Sequence, residues 1–303
     1  MVDWPRTVRR DGLTASSAHN DYDSGPDVVF NPLFRTSASR TPRQEVSIII
    51  CSVDDRRFEN VAENYRQRMG DWPYELLRIK NTPSLAHGYN RGMERSTGEF
   101  LIFSHDDIEI LTPDFCPRLL AHLESFDLVG VAGTSRLLEG RWISAYQPGI
   151  HGQVVERAPT EEGLVLTVFG PVKERVSGNI QALDGLFLAA KRQAAESLRF
   201  DEEMFDGFHF YDIDFSFRTH LAGLRVGVCN DILIYHDSIG PETESWRNYK
   251  KLFEEKFGGH LAAGEPGVPA VYAREGVGSK AEALALFEQH LKQCAITETE
   301  SLR

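Results

Sequence analysis

Three short segments in this chain carry residue types that could do chemistry, two of them closing apolar runs and one opening a helix-like pattern. The first is Phe103-Ser104-His105-Asp106-Asp107-Ile108-Glu109. Hard divalent cations prefer carboxylate oxygens, and Mg²⁺ takes one or two of them from protein while phosphates fill other positions. Mn²⁺ shares that preference and tolerates imidazole. His105 and Asp107 are two positions apart, so on a continuing strand they face the same way. A strand end that turns at polar residues explains the same acids without any chemistry. The second segment is Phe208-His209-Phe210-Tyr211-Asp212-Ile213-Asp214, at the start of a helix-like pattern. Asp212 there is either an N-cap held by free N–H groups or a general base that takes a proton from a hydroxyl. The third, Ile234-Tyr235-His236-Asp237, closes the last strand-like run, where His236 is a solvated strand end or a metal ligand.

The elements that must position these groups follow from the apolar pattern. Val46-Ser47-Ile48-Ile49-Ile50-Cys51 is a β-branched run of the kind buried on both faces of a sheet. The pattern predicts a helix over 58–69, a strand over 74–79 and a helix from Ser84 with Leu85, Gly88, Tyr89, Gly92 and Met93 on one side. A strand over 99–104, a helix opened by the Thr112-Pro113 cap and running to about Ser125, and a strand over 128–132 follow. Residues 134–181 are loosely patterned. Strands return at 183–190, 225–229 and 232–235, and a helix over 211–221 buries Ile213, Phe217 and Leu221. Helical patterns near 245–257 and 279–293 close the chain. Alternating strands and helices predict an α/β fold with a mostly parallel, doubly wound sheet flanked by helices. Ligands of such sheets bind beyond the carboxyl ends of the strands, where the first acid cluster lies. The expected organisation is a polar N-terminal extension over 1–43, an α/β domain over 44–240 and a helical C-terminal extension over 241–303.

Composition narrows the function classes. A chain of 303 residues with 41% hydrophobic content can bury a sizeable core. No run approaches the roughly 20 apolar residues of a membrane span. Met1-Val2-Asp3-Trp4-Pro5 starts no apolar signal core, and Cys51, Cys116, Cys229 and Cys294 form no CxxC pair. The expectation is a cytoplasmic protein with reduced thiols. A net charge of -12 disfavours nucleic acid or an anionic membrane as the main partner. It permits one bound nucleotide if a divalent cation bridges carboxylates and diphosphate.

From about Glu45 to Gly240, the order and contexts of these features resemble family 2-type glycosyltransferases of the GT-A fold. Ser84-Leu85-Ala86-His87-Gly88-Tyr89-Asn90-Arg91-Gly92 followed by Gly98-Glu99-Phe100-Leu101-Ile102-Phe103 looks like the family's Asn-x-Gly helix running into its DxD strand. His105-Asp106-Asp107 resembles the His-x-Asp form of that motif found in a bacterial branch. Leu183-Asp184-Gly185-Leu186-Phe187-Leu188 resembles the acceptor-side strand, and Tyr211-Asp212-Ile213-Asp214 the Glu-Asp-x-Asp helix.

The resemblance implies Mn²⁺ or Mg²⁺ at Asp107 and His236, and Asp212 as catalytic base in an inverting transfer. It implies a UDP-, GDP- or TDP-linked sugar donor held by Cys51, Ser52, Val53, Asp54, Asp55, Asn90, His105, Asp106, Asp184 and Gly185. The acceptor would be a hydroxyl on a glycan or lipid-linked glycan, in bacterial glycan or polysaccharide synthesis, and peripheral attachment at the inner membrane face stays open. Trp142 and Tyr146 could stack on a sugar. Two departures stand out: Cys51-Ser52-Val53-Asp54-Asp55 replaces a Pro-Thr-Tyr-like turn, and Tyr211 replaces the Glu before the base. A sugar-phosphate nucleotidyltransferase and a non-catalytic nucleotide- or sugar-binding module are the other readings. The first calls for a Gly-rich loop after the first strand, and Ser52 to Arg57 contains no glycine.

Overall fold

The computed structural model describes residues 28–30, 45–158, 163–237, 242–265, 267–268 and 271–301. Strand β1 (Val28–Phe30) pairs antiparallel with residues 76–78, and the rest of the expected 1–43 extension lies outside the described residues. The apolar run after it forms β2 (Val46–Cys51), and helix α1 (Asp55–Met69) follows with Asp54 as N-cap, its carboxylate accepting the Arg57 N–H. Then come β3 (Tyr74–Ile79), α2 (Leu85–Arg95) capped by Ser84, and β4 (Phe100–Ser104). Helix α2 lies so close to β2 that a Cβ at Gly92 would stand 3.3 Å from Ile49 Cγ1 and closer still to Cγ2. Only glycine fits there, and the close approach fixes where β2 delivers its carboxyl end.

After β5 (Ile108–Ile110), helix α3 (Phe115–Ser125) starts later than the Thr112-Pro113 signal predicts. Thr112 does other work. It is fully buried, and its hydroxyl accepts the Leu233 N–H at 2.8 Å, so it fastens two chain segments instead of capping a helix. Strands β6 (Leu128–Gly130) and β7 (Ala132–Thr134) divide the expected 128–132 strand between two sheets.

The 134–181 segment is more regular than its composition predicts. It holds a 3-10 turn over Trp142–Ala145, β8 (Ile150–Arg157), β9 (Leu164–Val168) and β10 (Val176–Ser177). The expected 183–190 strand is likewise two strands, β11 (Ala182–Leu183) and β12 (Phe187–Lys191), with Asp184-Gly185-Leu186 crossing between sheets. The chain continues through α4 (Arg192–Leu198), α5 (Tyr211–Leu221), β13 (Val226–Cys229), β14 (Ile234–His236) and α6 (Glu244–Phe257). It closes with β15 (Ala273–Val277) and α7 (Lys280–Ser301).

Eight strands form the main sheet in the order β1-β3-β2-β4-β12-β6-β13-β10. The expected parallel core is present in β3-β2-β4 and again in β6-β13. Between them β12 runs antiparallel to both neighbours, so the sheet as a whole is mixed. The smaller sheet runs β11-β7-β8-β14-β5, extended through β9 and β15. The C-terminal segment therefore supplies strand β15 as well as helices. Phe253 and Phe257 of α6 are buried with Phe205, Phe210 and Phe217, and Phe287 of α7 with Leu166, Val168 and Tyr235. Among the described residues no helix is long and apolar enough to cross a membrane.

Candidate functional site

The polar groups gather where the two sheets meet. Strand β4 ends at Ser104, and the chain passes through His105-Asp106-Asp107 into β5. Strand β14 pairs antiparallel with β5, His236 opposite Ile108, and the Asp237 N–H donates to the Asp107 carbonyl at 3.0 Å. This pairing draws His236 to the acids despite their distance in the chain. His236 Nε2 lies 3.4 Å and His105 Nδ1 3.8 Å from Asp107 Oδ1. Ligand atoms of all three lie within 4.8 Å of one another. Among the described residues, the buried His236 Nε2 has no well-formed hydrogen bond, only the 3.4 Å contact with Asp107. Burial, reinforced by the positive form of His236, lowers the His105 pKa. Burial acts on His236 the same way, but its contact with Asp107 outweighs it and raises that imidazole overall.

Asp106 is partly buried on the other side of Asp107. Burial raises its pKa, against the effect of the Ser52 hydroxyl. Arg57 from α1 reaches Asp106 at 3.8 Å and Asp107 at 4.0 Å. Nothing in the sequence beyond its nearness to the first strand marked Arg57 for this place. The 51–55 segment forms the adjoining rim. Ser52 is buried and its hydroxyl donates to the Asp54 carbonyl, while Val53 is 77% exposed at the tip. Asp54 is occupied as the α1 cap. Asp55 is bound by Arg78 at 2.5 Å and Lys80 at 3.2 Å, and the Arg78 bond holds its carboxyl below the usual range. Cys51 lies inside against α2, and burial pushes its thiol well up. Asn90 is buried away from these groups. Its amide clasps both the N–H and the carbonyl of Phe200 and also donates to Glu202.

The second half of the site is the Asp184-Gly185-Leu186 crossing against the first turn of α5. Asp184 Oδ2 accepts the Trp142 indole N–H at 3.0 Å, and Oδ1 accepts the Leu186 N–H at 3.1 Å. Phe210, in left-handed conformation with φ 66°, is the N-cap of α5 and makes no side-chain cap. Asp212 is thus a first-turn residue rather than the cap. Burial, then the nearby Asp184 carboxylate, raises the Asp212 pKa to about 7, against opposing bonds from backbone N–H groups including that of Gly185. A Cβ on Gly185 would overlap the Tyr211 hydroxyl and stand 2.7 Å from Asp212 Cβ. Glycine is needed because the crossing and the helix touch there.

A cleft of about 1130 Å³ opens over these groups, lined by His105, Asp184, Gly185, Asp212 and His236 among the predicted residues. Cys51, Ser52, Val53, Asp54, Asp55, Asn90, Asp106 and Asp107 do not line it. Trp142 and Tyr146 do, as their types suggested. Sequence reasoning missed Glu156, Phe208, Trp246 and Tyr272 on its walls. Glu156 stands opposite His236 in the parallel β8–β14 pairing, and the alternation that would have revealed β8 is broken by Gly152 and Gln153.

The fold is thus mixed α/β, with clustered imidazole and carboxylate groups beside a buried acid at a cleft. Residues 47–257 match the profile of the glycosyltransferase-like family, and the chain belongs to that family. No curated protein matches the chain. Similar solved structures include GalNAc-T7 with UDP, GalNAc and Mn²⁺, at 11% identity over 70% of this chain and 48% of that one, with a TM-score of 0.44. This chain therefore spans about half the length of that structure. The mannosyltransferase PcManGT from Pyrobaculum calidifontis, in complex with GDP-Man and Mn²⁺, is 14% identical over 84% of this chain and 76% of that one, with a TM-score of 0.44. A197 from STIV is 15% identical over 65% of this chain and 86% of that one, with a TM-score of 0.39.

Proposed function

We propose that this enzyme moves a sugar from a nucleoside-diphosphate donor to a glycan hydroxyl, with inversion, using Asp212 as base, in the assembly of a bacterial glycan. The observation that carries the reading is the Asp212 carboxyl itself. It lines the cleft, sits beside Asp184, and holds its proton up to about pH 7, where a general base works best. Asp212 accepts the proton of the acceptor hydroxyl as that oxygen bonds to the anomeric carbon. The bond from that carbon to the diphosphate oxygen breaks, and its electron pair leaves with the nucleotide.

The residues present suit a divalent cation. Asp107, His236 and His105 would hold it, and the buried Nε2 of His236 without a well-formed hydrogen bond is the kind of atom a cation satisfies. Two imidazoles in the set favour Mn²⁺ over Mg²⁺, which wants oxygen ligands. When bound, such an ion supplies Lewis-acid stabilisation to the departing diphosphate. Ser52, Val53 and Asp106 are then the rim groups left for the nucleotide, and Arg57 offers the phosphates a positive charge near the acids. Phe208 and Tyr272, 58% and 63% exposed at the cleft, present apolar faces suited to pyranose rings of a glycan acceptor.

The test is transfer from a panel of UDP-, GDP- and TDP-sugars with Mn²⁺, reading nucleoside diphosphate released and the anomeric configuration of the product. Asp212→Asn should lose about 10²- to 10⁴-fold in kcat while still binding the nucleotide. Full activity in that variant would overturn the reading.

A further inference from the structure

Tyr211 touches both halves of the site, and the reaction just described does not use it. Its ring is 3% exposed and packs against Tyr89 at 5.6 Å and Phe200 at 6.2 Å. Its hydroxyl has one proton and two partners, the Gly185 carbonyl at 3.1 Å and His105 Nε2 at 2.7 Å. A carbonyl oxygen can only accept, so satisfying that contact places the tyrosine proton on Gly185. The contact with His105 is then satisfied only if Nε2 carries a hydrogen and donates it to the tyrosine oxygen. A neutral imidazole has one N–H, which leaves a lone pair on Nδ1. Nδ1 faces the Asp107 carboxylate at 3.8 Å, too far for a hydrogen bond, so nothing in that contact calls for a proton on it. Two electron-pair donors turned toward each other without a proton between them make a pocket for a cation.

We propose that Tyr211 is a positioning residue that locks His105 in the Nε2–H tautomer and so presents Nδ1 as a ligand to a divalent cation shared with Asp107 and His236. The inference rests on the cation centre proposed above. It accounts for a tyrosine directly before the base, since one helix turn then sets both the orientation of a ligand and the place of Asp212. It also gives Gly185 a second duty. Its carbonyl takes the tyrosine proton, and a side chain there would push the hydroxyl away.

The experiment uses the full chain and the variant Tyr211→Phe, which keeps the packed ring and removes only the hydroxyl. Mn²⁺ affinity is read by titration calorimetry and paramagnetic resonance, and the ligand field by the visible spectrum of the Co²⁺ form. Loss of an orienting partner behind a ligating histidine typically weakens binding 10- to 100-fold, and that loss with a changed Co²⁺ spectrum is expected. Independently of any variant, ¹⁵N shifts of the metal-free wild type should show a protonated Nε2 and a bare Nδ1 on His105. The opposite tautomer, or unchanged Mn²⁺ affinity in Tyr211→Phe, overturns the proposal. Asp107→Asn and His236→Ala separate the two levels. If both bind Mn²⁺ like the wild type, the centre itself is absent and the inference falls with it. If both lose it while Tyr211→Phe does not, the centre stands and only the role of Tyr211 falls.

Discussion

A carboxyl group buried beside a second carboxyl holds its proton to unusually high pH, and Asp212 is such a group. Its pKa of about 7 lies above the ordinary value, first through burial and then through Asp184. The folded state therefore favours the protonated form. That preference contributes stability in full below the unfolded value near 4 and is lost as pH rises through about 7. Asp212→Asn, neutral at every pH, should then unfold at higher temperature than the wild type at pH 8, with the gap closing toward pH 4. Thermal melts at the two pH values check this. In the wild type, kcat/KM should rise with pH through about 7 as the base loses its proton. His105, Asp107, His236 and Asp212 could be singled out because their order along the chain matches a family pattern, since acids at strand and helix ends are common here. Their partners could not. Trp142 on Asp184, Arg57 on Asp106 and Tyr211 on His105 are tertiary contacts that no local spacing encodes.

Two contacts hold helix α5 so that its first turn meets the Asp184-Gly185 crossing. One contact is steric. Gly185→Ala should displace Tyr211 and Asp212, lower kcat at least tenfold and cost about 1–3 kcal/mol by overpacking, as read by urea unfolding and steady-state rates. The other contact is ionic and starts from the same turn. Asp214, fully buried, binds Arg218 at 2.6 Å and Lys256 of α6 at 2.6 Å. Asp214→Ala leaves buried Arg218 without a carboxylate while Lys256 keeps Asp201, and removing one partner of such a buried pair typically costs about 3–5 kcal/mol. Urea unfolding measures that as well. Six of the helices and the β2-β3-β4 core were readable since their apolar spacing is their own, whereas the short α4 was not. The direction of β12 was not, because a strand fully buried between two neighbours looks the same whichever way it runs. Nor was the break at Asp184-Gly185-Leu186, where leucines on both sides disguise a change of sheet.

Across the whole molecule, the last segment behaves as a brace on the smaller sheet. Phe287 and Ala283 of α7 cover Val155, Leu166 and Tyr235, on β8, β9 and β14, two of which carry Glu156 and His236. Phe287→Ala should cost about 3 kcal/mol by the cavity it leaves, visible as a lowered thermal midpoint, with little change in kcat at temperatures where the variant stays folded. The family profile ends within this region, at residue 257, so α6 belongs to the matched part while β15 and α7 lie beyond it. The net charge of -12 only disfavoured nucleic acid and permitted a cation-bridged nucleotide; the motif order suggested the family, and the match over residues 47–257 agrees with it.

The antiparallel pairing of β5 with β14 also has a consequence in time. Asp107 leaves the ribosome well before His236 is made, so an emerging chain holds only part of the ligand set. Until β14 docks on β5, the Asp237 N–H has no Asp107 carbonyl to meet, and no imidazole stands at 3.4 Å from that carboxylate. On the cation reading, metal capture waits until β14 has been made and has docked, and nascent chains stalled before residue 236 should not retain Mn²⁺ through a desalting column that the 303-residue chain survives.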